Sequence, residues 1–230
     1  MKKKFFYVVV LSLVFMLLNL YNIVYAGYKP VGVSASVSYV KQPKKDNIII
    51  CVGDSRTMQY TFGGGKKIRS NFVFCFVNGG NGGVIDKKRG SLSKHLTKYI
   101  KKYKKYNPII VFNFGVNGNG KPTKNAKRLI RIYNQWMKAY PNLKFYVQGV
   151  GPTNINGGSY ANSNVIKLNK ILKKEYEPKG IYIDSYKYIK DHNIVNSSGK
   201  GFRDKLHYNW ATSEQLLKQI RRRVNEDLAV

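Results

Sequence analysis

The stretch Ile48-Ile49-Ile50-Cys51-Val52-Gly53-Asp54-Ser55-Arg56 decides the reading of this chain. A run of apolar, mostly β-branched residues stops abruptly at Gly-Asp-Ser. A buried strand looks like this when it delivers a side chain to the carboxyl edge of a parallel sheet. A serine at that edge stands clear of the strand ladder and serves as a nucleophile if a base reaches it. The segment Asp204-Lys205-Leu206-His207, near the other end of the chain, supplies an imidazole with a carboxylate three residues before it. One serine at a strand end and one Asp-x-x-His point to acyl-transfer or hydrolytic chemistry.

Working outward, apolar runs recur at 47–52, 72–77, 108–114, 143–150 and 180–184. Between them lie helical patterns: a short one after Ser55, then 91–106, 122–139, about 162–176 and about 210–225. In 122–139, Leu129, Ile132, Tyr133 and Trp136 fall on one face. Short apolar strands alternating with helices predict an α/β fold with a five-stranded parallel sheet covered on both faces. Such sheets bind ligands outside their carboxyl ends. The glycine loops at 78–83 and 115–118 and the Asp-x-x-His segment would gather there with Ser55.

The chain has 230 residues, enough for one domain with a substantial core. Lys2-Lys3-Lys4, the apolar run 5–20 and the small residue Ala26 read as a signal peptide over 1–26. The same stretch is long enough to span a bilayer uncut. Cleaved or retained as an anchor, it places the folded part outside the cytoplasm, extracellular or wall-associated. Residues 27–46, rich in Gly, Pro, Ser and Lys, read as a linker, and 47–230 as the domain.

There are 41 Lys and Arg against 11 Asp and Glu, a net charge of +30, and the first 26 residues hold only three of those cations. Such a field favours polyanions, anionic wall polymers among them, while a Lys-, Asn-, Ile- and Tyr-rich composition is also what compositional bias produces. The two cysteines, Cys51 and Cys75, lie in predicted strands, where they either pair or pack as buried thiols. His95, His192 and His207 form no cluster with the cysteines, so neither a metal nor a cofactor is expected.

Acyl transfer needs a nucleophile, a base, a group that orients the base, and donors for the oxyanion. Ser55, His207 and Asp204 fill the first three roles. The Ser55 N–H, N–H groups of the second-strand loop and the Asn117 amide are the candidate donors. Tyr60, Tyr160, Tyr208 and Trp210 are candidates either for a sugar subsite or for ordinary core and rim positions.

Gly53-Asp54-Ser55-Arg56, a glycine loop after strand two, Gly115-Val116-Asn117 after strand three, and Asp204-x-x-His207 before the last helix resemble, in order, the four blocks of the SGNH (GDSL-type) hydrolases. The resemblance spans about 47–226 and implies a flavodoxin-like three-layer α/β/α sandwich. It also implies a serine nucleophile, an Asp-x-x-His base pair, and an oxyanion hole completed by glycine and asparagine. Its members are esterases, lipases and carbohydrate or peptidoglycan acetyl-esterases and acetyltransferases. Three departures stand out. Gly118 replaces the Asp that usually follows the third-block Asn. Arg56 stands where Leu is common, as in a branch of similar secreted bacterial proteins. The glycine loop is redundant, so Gly82 and Gly83 both qualify as oxyanion donors. The expectation is a secreted serine esterase acting on O-acyl, chiefly O-acetyl, groups of cell-wall or extracellular glycans. An O-acetyltransferase or a non-catalytic wall-binding module are the alternatives. Nucleic acid is not an expected partner, and a membrane is expected only through the N-terminal segment.

Overall fold

The computed structural model describes residues 35–38, 40, 47–63, 66–78, 80, 82–88 and 90–229, so the expected signal peptide at 1–26 lies outside it. Six strands are present: β1 (Ala35–Ser38), β2 (Ile49–Gly53), β3 (Phe72–Phe76), β4 (Ile109–Asn113), β5 (Phe145–Gln148) and β6 (Tyr182–Ile183). The helices are α1 (Ser55–Gln59), α2 (Lys66–Arg69), α3 (Ser93–Lys102), α4 (Pro122–Ala139), α5 (Asn162–Tyr176), α6 (Ser185–Asp191) and α7 (Trp210–Glu226), with short 3₁₀ turns at Gly82–Ile85 and Lys104–Tyr106.

The sheet runs β1-β3-β2-β4-β5-β6. The five predicted strands all pair in parallel. Every residue of β2, β3 and β4 is buried, which is why these strands read as unbroken apolar runs rather than alternating ones. The chain steps from β2 to β3 in one direction and from β3 back across β2 to β4 in the other. The strand order therefore reverses about β2, and the crevice at such a reversal is where this class of sheet places its ligands.

The sixth strand corrects the sequence reading. Ala35–Ser38, inside the span taken as a linker, pairs antiparallel with β3, Ala35 opposite Phe76. An edge strand is held by backbone hydrogen bonds to one neighbour, so four residues of Ala, Ser and Val suffice without an apolar run. The short helix α6 was also not predicted. The Asp184 side chain caps it by accepting from the Lys187 N–H at 2.9 Å.

One core lies between the sheet and helices α3, α4 and α5. Ile50, Val52, Val73, Cys75, Ile110, Phe112 and Val147 meet Leu96, Leu129, Tyr133, Trp136, Leu168 and Leu172 there. Pro122 opens α4 at its first turn, where its missing N–H costs nothing. Trp136 is fully buried and its indole N–H donates to Ile85 O at 2.6 Å, so the largest side chain of the core leaves no orphan donor. On the opposite face a buried polar chain joins β5, α6 and α7. Gln148 donates to Ser185 at 2.9 Å, and Ser185 to Gln219 at 2.7 Å.

The parallel register settles the cysteine alternative. Cys51 is level with Phe74, and Cys75 with Val52, its neighbour in β2. Successive side chains of a strand point to opposite faces, so Cys51 and Cys75 lie on opposite sides of the sheet. Both are buried free thiols, and burial pushes both far above the ordinary thiol range.

Candidate active site

Three strands end level: Gly53 pairs with Phe76 on one side and Asn113 on the other. Gly53 has no room for a Cβ, which would run into the Asn113 carbonyl and the Thr57 hydroxyl. The loops leaving these three ends therefore start side by side. Ser55 follows β2, Gly80 follows β3, and Asn117 follows β4.

Ser55 is the first residue of α1. Asp54 is its N-cap, its Oδ1 accepting from the Arg56 N–H at 3.0 Å. In this first turn the Ser55 N–H has no intrahelical carbonyl to reach. Burial pushes the Asp54 carboxyl up to about 6 even though the Arg56 N–H, the Arg56 charge and the Asn117 amide all pull it down.

Across the crevice, His207 Nε2 lies 2.9 Å from Ser55 Oγ. Its Nδ1 lies 2.9 Å from Asp204 Oδ2 and 3.2 Å from Oδ1. An ionised carboxylate only accepts, so Nδ1 carries the proton and Nε2 is left to accept from the serine hydroxyl. The Asp204 Oδ1 also accepts from the Leu206 N–H at 2.8 Å and the His207 N–H at 2.7 Å. Partial burial would raise this carboxyl, but the hydrogen bonds from the His207 backbone, the His207 ring and the Leu206 backbone outweigh it and hold it at about 2. Asp204 thus both closes the turn and orients the ring.

Arg56 is the residue whose importance the sequence did not disclose. The residue is 3% exposed, and its guanidinium donates to Leu206 O at 3.1 and 2.8 Å, Gly151 O at 2.7 Å, Pro152 O at 2.9 Å and Tyr208 Oη at 3.0 Å. It also stacks over the Tyr208 ring, 4.4 Å from its centroid. The residue beside the serine thereby grips the residues on both sides of the histidine. Its acceptors are chiefly main-chain carbonyls, which leave no mark in a sequence.

Asn117 Nδ2 donates to Gly80 O at 3.1 Å. The loop residue that accepts from Asn117 is thus Gly80, whereas the sequence put Gly82 and Gly83 forward. Gly82 sits in the 3₁₀ turn packed on α4, where a Cβ would strike Leu129. The third-block loop is tied down by Asn125, whose side chain donates to Asn117 O at 3.2 Å and to Asn119 Oδ1 at 3.1 Å. Gly118 has φ +82°, a conformation glycine enters at no cost. Asn125 therefore anchors this loop.

The aromatic candidates divide. Tyr60 and Tyr208 are buried. Tyr60 accepts from Asn113 Nδ2 at 3.0 Å and donates to Gln148 at 3.2 Å, and Tyr208 donates to Pro152 O at 2.7 Å. Tyr160 and Trp210 are 37% and 64% exposed, with the Tyr160 hydroxyl 3.5 Å from Asn117 Oδ1. His95 lies in the first turn of α3, and His192 meets Tyr188. Among the described residues no group of three His, Cys, Asp or Glu could hold a metal ion, and no helix is long and apolar enough to cross a membrane.

Solved structures share this fold. The lipase/acylhydrolase from Enterococcus faecalis is 14% identical, with a TM-score of 0.57 over 79% of this chain and 97% of that one. A GDSL-like lipase from Bacteroides thetaiotaomicron is 12% identical, with a TM-score of 0.56 over 82% and 92%. The acetyl xylan esterase AlAXEase is 15% identical, with a TM-score of 0.54 over 77% and all of that chain. The fold is that of the SGNH hydrolases. No protein-family model matches the sequence, and no curated protein matches it.

Proposed function

We propose that the protein is a secreted serine ester hydrolase that removes O-acyl groups, chiefly O-acetyl, from a cell-wall or extracellular glycan. The observation that carries this reading is the pair of contacts through the His207 ring, Ser55 Oγ to Nε2 and Nδ1 to Asp204 Oδ2, both 2.9 Å. The ester hydrolase and acetyl xylan esterase activities of proteins with this fold accord with it.

His207 takes the Ser55 proton as Oγ adds to the ester carbonyl. Negative charge then collects on the carbonyl oxygen, for which the Ser55 N–H, an N–H of the second-strand glycine loop and the Asn117 amide are the candidate donors. Collapse expels the alcohol, protonated by His207, and leaves an acyl-serine. Water activated by His207 releases the acid and restores the serine. Asp204 keeps the imidazole in the tautomer that both half-reactions use.

Release of p-nitrophenol from its acetate ester by wild type and by Ser55→Ala tests the reading. A loss of at least about 10³-fold in the variant is expected, together with labelling of Ser55 by a fluorophosphonate in the wild type alone. Equal rates and no labelling would overturn it in favour of a binding module.

A further inference from the structure

The positive charge of this chain is not spread evenly. Residues 87–174 contain twenty Lys and Arg and no Asp or Glu, whereas 175–230 contain ten and eight. A bias in composition would enrich lysine throughout; it would not strip one half of every carboxylate. The acid-free stretch supplies α3, α4 and nearly all of α5, the layer packed on one face of the sheet. In the balanced half the cations find carboxylates, as Lys179 does with Glu175, Lys187 with Asp191 and Lys218 with Glu214.

This layer reaches the site through a groove of about 440 Å³, lined by Gly118, Gly120, Lys121, Lys124, Arg128 and Ser159. Gly118 is the residue after Asn117, and Ser159 precedes Tyr160, whose hydroxyl is 3.5 Å from Asn117 Oδ1. Lys121, the N-cap of α4, and Lys124 and Arg128 within it are exposed at helical spacing, and none has a carboxylate at ion-pair distance among the described residues. Like charges at this spacing repel, and a bound polyanion relieves the repulsion.

We propose that this groove, continued by the exposed lysines of α3, α4 and α5, is a track for a linear polyanion. Building on the ester-hydrolase reading, the acyl group removed is then carried by a polymer whose repeating units bear phosphodiesters or carboxylates. Nucleic acid has the charge but no O-acyl ester for Ser55 to attack. A membrane has the esters, but the large apolar side chains exposed among the described residues are Tyr160, Ile166, Trp210 and Leu228, too few for a face that inserts into lipid.

The test is binding of long-chain inorganic polyphosphate and of polygalacturonate over a salt series. It compares the full chain with Lys121→Gln/Lys124→Gln/Arg128→Gln and with a control triple on α6 and α7, Lys187→Gln/Lys190→Gln/Lys218→Gln. Circular dichroism verifies that each variant is folded. The groove triple is expected to weaken binding about tenfold or more at fixed salt and to flatten log K against log salt by about 2. The control triple should change each far less. The more tightly held polymer tells phosphate from carboxylate. Equal losses in the two triples, or no binding, would overturn the track. So would tighter groove-dependent binding of duplex DNA or phosphatidylglycerol vesicles, which would reassign it to nucleic acid or membrane. Binding is measured on Ser55→Ala as well, so a failure of ester hydrolysis and a failure of the track are read separately.

Discussion

Arg56 and Leu206 stand 150 positions apart in the chain, yet two nitrogens of the Arg56 guanidinium, at 3.1 and 2.8 Å, close on the single carbonyl oxygen of Leu206. One residue follows the serine and the other precedes the histidine. The 2.9 Å contact between Ser55 and His207 is therefore spanned by a second, buried connection that does no chemistry itself.

Arg56→Lys tests this positioning role. An ammonium is a point donor and cannot reproduce the planar fork that reaches Leu206, Gly151 and Pro152 together. On a small ester kcat should fall about 10²-fold, as for a misplacement near 1 Å, while KM stays within about twofold. Unfolding in urea should show a loss of about 3 kcal/mol, because buried carbonyls lose their donors. A variant with wild-type kcat and lowered stability would make Arg56 a purely structural group.

For Asp204→Asn the expectation is reversed: a large loss of rate with little loss of stability. The amide can donate to Nδ1 and so favours the wrong tautomer, at a cost of about 10³–10⁴ in kcat. The Asp204 carboxyl is held near 2, below its unfolded value, so its stabilising contribution is present above pH 4 and fades as pH falls toward 2. Its side chain is 45% exposed, and solvent screening keeps that contribution small. Thermal melting at pH 7 should thus scarcely move.

Asp54 behaves in the opposite sense. Its folded value, about 6, lies above the unfolded one, so folding favours its protonated form. The associated stability is fully present below about pH 4 and is lost as pH rises through 6. Asp54→Asn keeps an N-cap of equal quality and removes the buried charge. It should stabilise the fold at pH 8 by up to about 3 kcal/mol and by almost nothing at pH 4. Equal effects at both pH values in denaturant titrations would refute the assignment.

Much of this architecture was legible because burial on both faces leaves its mark on sequence. β2, β3 and β4 appear as apolar runs, and the helix predicted at 122–139 is the one observed. Ser55, Asp204 and His207 could be picked out because each is a chemically distinctive side chain at a strand or helix boundary. What could not be read depends on the main chain. β1 is fixed by ladder bonds to β3, and the acceptors of Arg56 are chiefly carbonyls. The contact of Gly80 with Asn117 is likewise made by a main-chain carbonyl. The anchoring of the third loop by Asn125 was missed for a related reason: an asparagine in the first turn of a helix looks like any solvated residue until its partners are known.

The back-to-back placement of Cys51 and Cys75 frees the maturation of this chain from redox chemistry. With a sheet between them the two sulfurs have no route to each other in the native state, so the fold needs no oxidase to complete it and no isomerase to correct it. It stays equally sound in oxidising and reducing surroundings. What holds the molecule together, packing, hydrogen bonds and ion pairs, is the same whichever side of a membrane the chain folds on.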